Sequence, residues 1–336
     1  MSLDKFRLFA SILIVAIHTY PLSSINENLD FVFTHIFCRI GVPIFLMITG
    51  YFVLPKAIQD KKSLMKYTKK IAKIYFLCMI LYLPVNIYAG KLKGISFVGI
   101  LKSIFIDGTF YHLWYFPALI LGIWITYFII KHIKNKNGLI LVSILYVIGL
   151  FGDSYFGIAE KWSVTKTFYD AIFNIFDYTR NGLFYVPIFL YLGYIMKNIN
   201  WKISKRDNII FIIISLVLMI LEGMILHHFN LQRHDSMYFM LIPTMIGIFN
   251  FILQNKNENN KQLRNIATII YIIHPMFIIV VRGIAKITQM QNVMIDNSII
   301  HYLLVVISSL IFSIILEKKK VSEKNGKRFK TKQSMD

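Results

Sequence analysis

The sequence predicts an all-α, polytopic integral membrane protein of about ten transmembrane helices, with both termini cytoplasmic. Three observations predict it. First, 56% of the 336 residues are hydrophobic and only 16% are charged, well below the roughly 25% of soluble domains. Second, apolar runs approaching the ~20 residues that span a bilayer recur along the whole chain. Third, the Lys and Arg residues behind the net charge of +20 alternate between connecting segments as a membrane would impose. A basic balance can also mean nucleic acid, but the charge then clusters on a soluble face. Here it falls between apolar runs, so the lipid bilayer is the expected partner and nucleic acid is not.

The runs lie at 7–23, 31–54, 68–88, 113–131, 138–152, 182–197, 208–228, 237–254, 265–285 and 299–317. The fifth is short. The first has no small-residue cleavage site and is expected to be retained. An apolar piece at 94–106 is too short to span and is expected at the interface. Pro43, Pro84, Pro117, Pro187, Pro243 and Pro275 fall within or beside runs, where neighbouring helices can satisfy the freed carbonyls. With the N-terminus inside, the inner segments hold 27 of the 37 Lys and Arg residues and the outer ones 9, with Arg39 inside a run. This alternation supports an even number of spans. Residues 1–317 read as one transmembrane domain, and 318–336 as a basic, disordered cytoplasmic tail. Cys38 and Cys78 both sit in apolar runs, so neither a disulfide framework nor a cysteine metal site is expected.

Charge within a span costs at least about 2.5–3.5 kcal/mol per residue on insertion scales and usually marks function. Arg7 and His18 are eleven residues apart, about three helical turns, so they share a face. Their helix could line a polar route inward from the cytosol. An imidazole there can take and return a proton at neutral pH, or it is an interfacial His bonded to a carbonyl. Arg39 has no opposite charge in its own run and needs an anionic ligand or an ion pair with Glu222. Lys69, Lys70 and Lys73 stand at the start of the third run, either holding a phosphate-bearing ligand or serving as plain positive-inside charge. Tyr111, His112, Trp114 and Tyr115 make an aromatic belt or a substrate platform. His274 completes the ionisable residues at membrane depth. The outer segment from Glu222 through His227, His228, Arg233, His234 and Asp235 matches no standard zinc spacing, so no metal is expected. It reads as a polar mouth around a small zwitterion, with Glu222 facing the ammonium and Arg233 the carboxylate.

Several segments, in order, resemble the membrane acyltransferase 3 family. They are Asp4-x-x-Arg7 with Ala10 and His18, Pro43 to Phe52, Lys69 to Tyr75, His112-Leu113-Trp114-Tyr115, Tyr185 to Gly193, and Ile270 to Pro275. The resemblance implies transfer of an acyl group, usually acetyl from acetyl-CoA, to an extracytoplasmic hydroxyl, often on an envelope sugar. It implies an O-acetyltransferase type of enzyme in the bacterial cytoplasmic membrane, with acetyl-CoA as co-substrate and no permanently bound cofactor. His18 would be the catalytic base or acyl relay, with Arg7 holding the polar route. Lys69, Lys70, Lys73 and Arg39 would bind the acyl-CoA. Trp114, Glu222, Arg233, His234 and Asp235 would bind the acceptor. Lysine in place of the family's usual arginine loses bidentate phosphate geometry. The stretches IHTYPLSSINENLDF and LEGMILHHFNLQRHDSMYFMLIP are also similar to the membrane domain of serine racemases from vancomycin-resistance clusters. That narrower resemblance implies serine as acceptor or as transported ligand. The racemase domain that follows the membrane part in those proteins is expected to be absent here, or supplied as a separate racemase.

Overall fold

Helices occupy every apolar run. The computed structural model describes residues 3–199, 203–255 and 260–333, with side chains as far as Lys320. The principal helices are α1 (Leu3–Thr19), α2 (Glu27–Gln59), α3 (Lys61–Tyr88), α4 (Tyr115–His132), α5 (Asn135–Phe151), α6 (Val186–Asn198), α7 (Lys205–His228), α8 (Leu241–Gln254), α9 (Lys261–Ile287) and α10 (Ser298–Gln333). No strand occurs among the described residues. Six of these helices are long and apolar enough to cross a membrane: α2, α3, α4, α7, α9 and the Ser298–Lys320 part of α10. The other four, α1, α5, α6 and α8, have 17, 17, 13 and 14 residues. At 1.5 Å per residue they reach about 20–26 Å, short of a ~30 Å hydrocarbon core.

Local chemistry sets the helix ends. Asp60 caps α3 by accepting from the Lys62 amide at 2.9 Å, and Ser204 caps α7 by accepting from the Asp207 amide at 3.1 Å. Asn260 caps α9 through the Leu263 amide at 3.0 Å. These side chains satisfy amides that have no partner inside the helix. The first helix begins four residues before the predicted run, because Asp4 is buried and accepts from Arg7 and from the Asn260 amide. A polar residue can start a buried helix once its oxygens are taken. The helix predicted to end at 317 continues to Gln333, and side chains from 321 on lie outside the described residues. The 94–106 piece forms a short helix, Phe97–Lys102, extended by one π-helical turn, Ser103–Asp107.

The chain folds as two units, Met1–Val42 with Phe251–Asp336, and Pro43–Asn250. In the first, α1 packs against α9 and α10 around Val15, Ile266, Ile270, Ile278, Val281 and Val305. The turn after α1 is tied to the start of α10: the Ser24 and Ser298 hydroxyls are 2.7 Å apart, and Ser298 Oγ donates to the Pro21 carbonyl at 2.8 Å. The start of α2 belongs to this unit and departs from α-geometry, with a π-helical stretch Phe31–Ile36 followed by a 3₁₀ turn Phe37–Ile40.

In the second unit, the remainder of α2 lies against α6 with almost no space between backbones. A Cβ on Gly50 would sit 2.0 Å from the Leu190 carbonyl oxygen, and one on Gly193 would sit 2.1 Å from that of Met47. Lipid tails are as apolar as leucine, so helices in a membrane associate through such close packing at small residues rather than by escaping water. Polar ties reinforce the unit: Tyr146 Oη donates to the Tyr238 carbonyl at 2.8 Å, and Thr179 Oγ1 donates to that of Gly149 at 2.7 Å.

Candidate functional site

The first unit carries His18. It lies one residue before the end of α1 and is half-buried. Its ring stacks on His274 of α9, with centroids 5.3 Å apart and planes 20° from parallel. His274 is wholly buried. Its Nδ1 lies 3.1 Å from the Ile270 carbonyl oxygen and 2.9 Å from that of Tyr271. Both neighbours only accept, so Nδ1 carries a hydrogen. One imidazole held by its backbone carbonyls thus stacks on a second that is half-buried. The residue after it, Pro275, lies inside α9.

Arg7 lies three turns earlier on the same helix and donates to buried Asp4, which also accepts from the Asn260 amide at 2.8 Å. The first turns of α1 therefore carry a charge pair held to the start of α9. Arg39 is half-buried in the irregular part of α2. Its Nε donates to the His35 carbonyl at 3.4 Å, and an Nη donates to His35 Nδ1 at 3.5 Å. The His35 ring is stacked between Phe31, at 5.2 Å, and Tyr20, at 5.7 Å. Tyr20 adopts the left-handed backbone conformation, with φ 52°. π-turns and such backbone outliers are frequent at functional sites.

The second unit carries the residues expected at the outer mouth. Glu222 and Arg233 were expected to face the two ends of a zwitterion, and each has another task. Glu222 accepts from Tyr155 Oη at 2.8 Å and from the amides of Phe239 at 2.6 Å and Met240 at 2.8 Å. It anchors the turn that leads into α8, and both of its oxygens are engaged. The Arg233 guanidinium lies over the Phe173 ring at 3.4 Å and donates to the Asp177 carbonyl at 3.4 Å.

A different arginine meets Trp114. Arg180 lies 4.6 Å over the Trp114 ring and 5.3 Å from that of Tyr178, and donates to Ser236 Oγ at 2.9 Å. His234 lies 4.4 Å from Tyr178, ring to ring. Beneath them, buried Asp153 accepts from the Ser236 and Met237 amides at 2.7 and 3.0 Å. Trp114 and His234 thus belong to one cation–aromatic cluster with Arg180 and Tyr178, and Asp235, next in sequence to His234, is half-buried. Sequence reasoning missed Arg180. The available signal was a cation in an outer segment that otherwise has few. It also gave His274 no partner, although both histidines were noted.

Lys69, Lys70 and Lys73 are all exposed on α3. The buried side chains of that helix, Leu64, Tyr75, Cys78, Tyr82 and Asn86, lie on the other face. Among the described residues no group of three or more His, Cys, Asp and Glu side chains could hold a metal ion.

An acyltransferase-domain family model, that of acyltransferase 3, matches residues 2–318. Two proteins named amino-acid racemase from Enterococcus faecalis are 38% and 36% identical to the chain, each over 94% of it and over 44% and 45% of their own length. A serine/alanine racemase from Enterococcus gallinarum is 33% identical over 95% of the chain and 46% of its own length. The chain therefore spans less than half the length of these curated relatives. No solved structure matches. With helices at every expected span and the family's segments in order from Asp4 to Pro275, the chain belongs to the membrane acyltransferase 3 family.

Proposed function

We propose that this protein is an integral membrane acyltransferase of the bacterial cytoplasmic membrane, crossing it ten times with both termini inside. Its reaction moves an acyl group, acetyl in the first instance, from cytosolic acyl-CoA to the hydroxyl of an extracytoplasmic small molecule or envelope glycan. The observation that carries this reading is the His18–His274 stack. A half-buried imidazole at membrane depth, stacked on a buried one held by its backbone carbonyls, suits a general base. His18 takes the proton of the acceptor hydroxyl as its oxygen attacks the thioester carbonyl. The carbon–sulfur bond then breaks, and the proton passes to sulfur, leaving an acyl ester and the free CoA thiol. Arg7, paired to Asp4, and Arg39 supply positive charge along the first unit for the donor's phosphates. Lys70, at the start of α3, adds to that charge. Trp114, Arg180, His234 and Asp235 are the acceptor's polar and aromatic contacts in this reading.

A second reading is favoured by the relatives' names. Amino-acid racemases and a serine/alanine racemase share this membrane part, so it could deliver L-serine to a racemase domain. An Arg180 cluster of cation and aromatic rings suits an amino-acid carboxylate equally well.

Purified protein in lipid nanodiscs, given radiolabelled acetyl-CoA and candidate acceptors, tests the first reading. Loss of a general base lowers rate by about 10²–10⁴-fold, so His18→Ala should lose at least a hundredfold. A His18→Ala variant that transfers label as fast as the parent ends the proposal. Uptake of labelled L-serine into proteoliposomes tests the second, and uptake no better than in empty vesicles removes it.

A further inference from the structure

The first four turns of α3 carry Lys61, Lys62, Lys66, Lys69, Lys70 and Lys73, and Lys61 lies over the Trp124 ring. At 3.6 residues per turn, Lys62, Lys66, Lys69 and Lys73 fall within an arc of about 60°. The same arc continues along the helix through Phe76, Ile80 and Ile87, which are 56%, 52% and 59% exposed. The buried face is opposite, at Leu64, Tyr75, Cys78, Tyr82 and Asn86. The four lysines therefore stand on the exposed face of α3, in line with exposed apolar side chains of the kind that lipid tails cover. None of the four ammonium groups has a hydrogen-bond or ion-pair partner among the described residues, and all four are exposed. The nearest acid, Asp60, is committed to the Lys62 amide. Lys70 lies off this arc.

We propose that this stripe is a binding site for acidic phospholipid headgroups, with the lipid's acyl chains lying along Phe76, Ile80 and Ile87. Depth sorts the lysines. The polar region of one leaflet is roughly 5–8 Å thick. Lys69 and Lys73 are about 6 Å apart along the axis at 1.5 Å per residue, so both reach the phosphate layer beside the exposed Phe76. Lys66 and Lys62 stand about 10 and 16 Å outward of Lys73 and act through the surface potential, which fades over a Debye length of about 8–10 Å. The phosphates of CoA share the same chemistry. CoA matches only the lysines, however, whereas a phospholipid supplies headgroup and tail together and so matches the exposed apolar side chains in line with them. The inference does not rest on the acyl-transfer reading.

The test uses the full chain in nanodiscs of phosphatidylcholine with phosphatidylglycerol, and reads two quantities. Native mass spectrometry measures phosphatidylglycerol retained over phosphatidylcholine, and calorimetry measures acetyl-CoA affinity. Each lysine at a charged surface contributes about fivefold, so Lys69→Gln with Lys73→Gln should cut the phosphatidylglycerol preference roughly 25-fold. The double Lys→Arg variant should keep it. Unchanged retention in the Gln variant overturns the proposal. So does a Gln variant that keeps its lipid preference and loses acetyl-CoA affinity, which would make CoA the source of the phosphate. Neither quantity depends on turnover, so failure here is separable from failure of the acyltransferase reading.

Discussion

Glu222 shows how a residue's task depends on partners that its neighbours in sequence do not announce. A carboxylate near the outer end of a membrane helix reads as a ligand for an ammonium group. Its oxygens instead receive a tyrosine hydroxyl and two backbone amides from the turn before α8. Amide donors belong to every residue, so no side-chain pattern could have pointed to Phe239 and Met240. Arg180 was hidden for a related reason: its aromatic partner, Trp114, is distant in sequence and joined to it only by the fold. His18 and Arg7 were legible because both lie on one helix, where spacing alone fixes the shared face. A hydrogen bond to a charged group contributes about 1.5–3 kcal/mol, and a buried donor left unmet costs about 1–3 kcal/mol. Glu222→Leu should therefore destabilise the protein by a few kcal/mol, seen as a lowered thermal unfolding midpoint in detergent. A midpoint equal to the parent's would mean that the anchoring bonds contribute nothing.

At the level of elements, hydrophobic runs located α1 to α10, because run length is the quantity a bilayer selects, but not the 13-residue helix Ser163–Ile175, which lies outside every run. Helix ends were less legible. Asp4 and the 3₁₀ and π turns of α2 break simple patterns for reasons set by their neighbours. The contact of α2 with α6 was not legible at all, since a lone glycine in an apolar run says nothing of what faces it. Gly50 and Gly193 face carbonyl oxygens at distances no Cβ tolerates. Backbone atoms cannot step aside as a flexible side chain does. Overpacking of this kind costs typically 1–3 kcal/mol and at times more, so Gly193→Ala should lower stability by at least that. Normal expression with an unchanged unfolding midpoint would show that α2 and α6 can part freely.

Across the molecule, composition announced a multi-pass membrane protein, while the division into two units left no trace in it. One surface ion cluster makes a pH test possible. Lys102 donates to Asp177 at 2.7 Å and lies 3.6 Å from Asp107, and the Asp177 amide donates to Asp107 at 3.0 Å. Burial alone would lower the Lys102 pKa, but the hydrogen bond and charge of Asp177, and then those of Asp107, outweigh it and hold the pKa above the ordinary lysine value. A raised lysine pKa means that the folded chain binds the proton more tightly than the unfolded one. This stability is complete below the ordinary lysine pKa and is lost as pH rises through the folded value. Unfolding midpoints measured from neutral to strongly alkaline pH should therefore fall at the alkaline end, and Lys102→Met should flatten that fall. Identical slopes in the two proteins would remove Lys102 from the account.

The first unit draws its members from opposite ends of the polypeptide. Asp4 finds its amide 256 positions later, and His18 finds its ring neighbour at His274. A ribosome adding about 5–20 residues per second needs on the order of ten to fifty seconds to cover that stretch. Throughout that interval α1 has its carboxylate paired only to Arg7 and its imidazole without the ring it later stacks on, so whatever reaction this histidine performs begins only after His274 has been added.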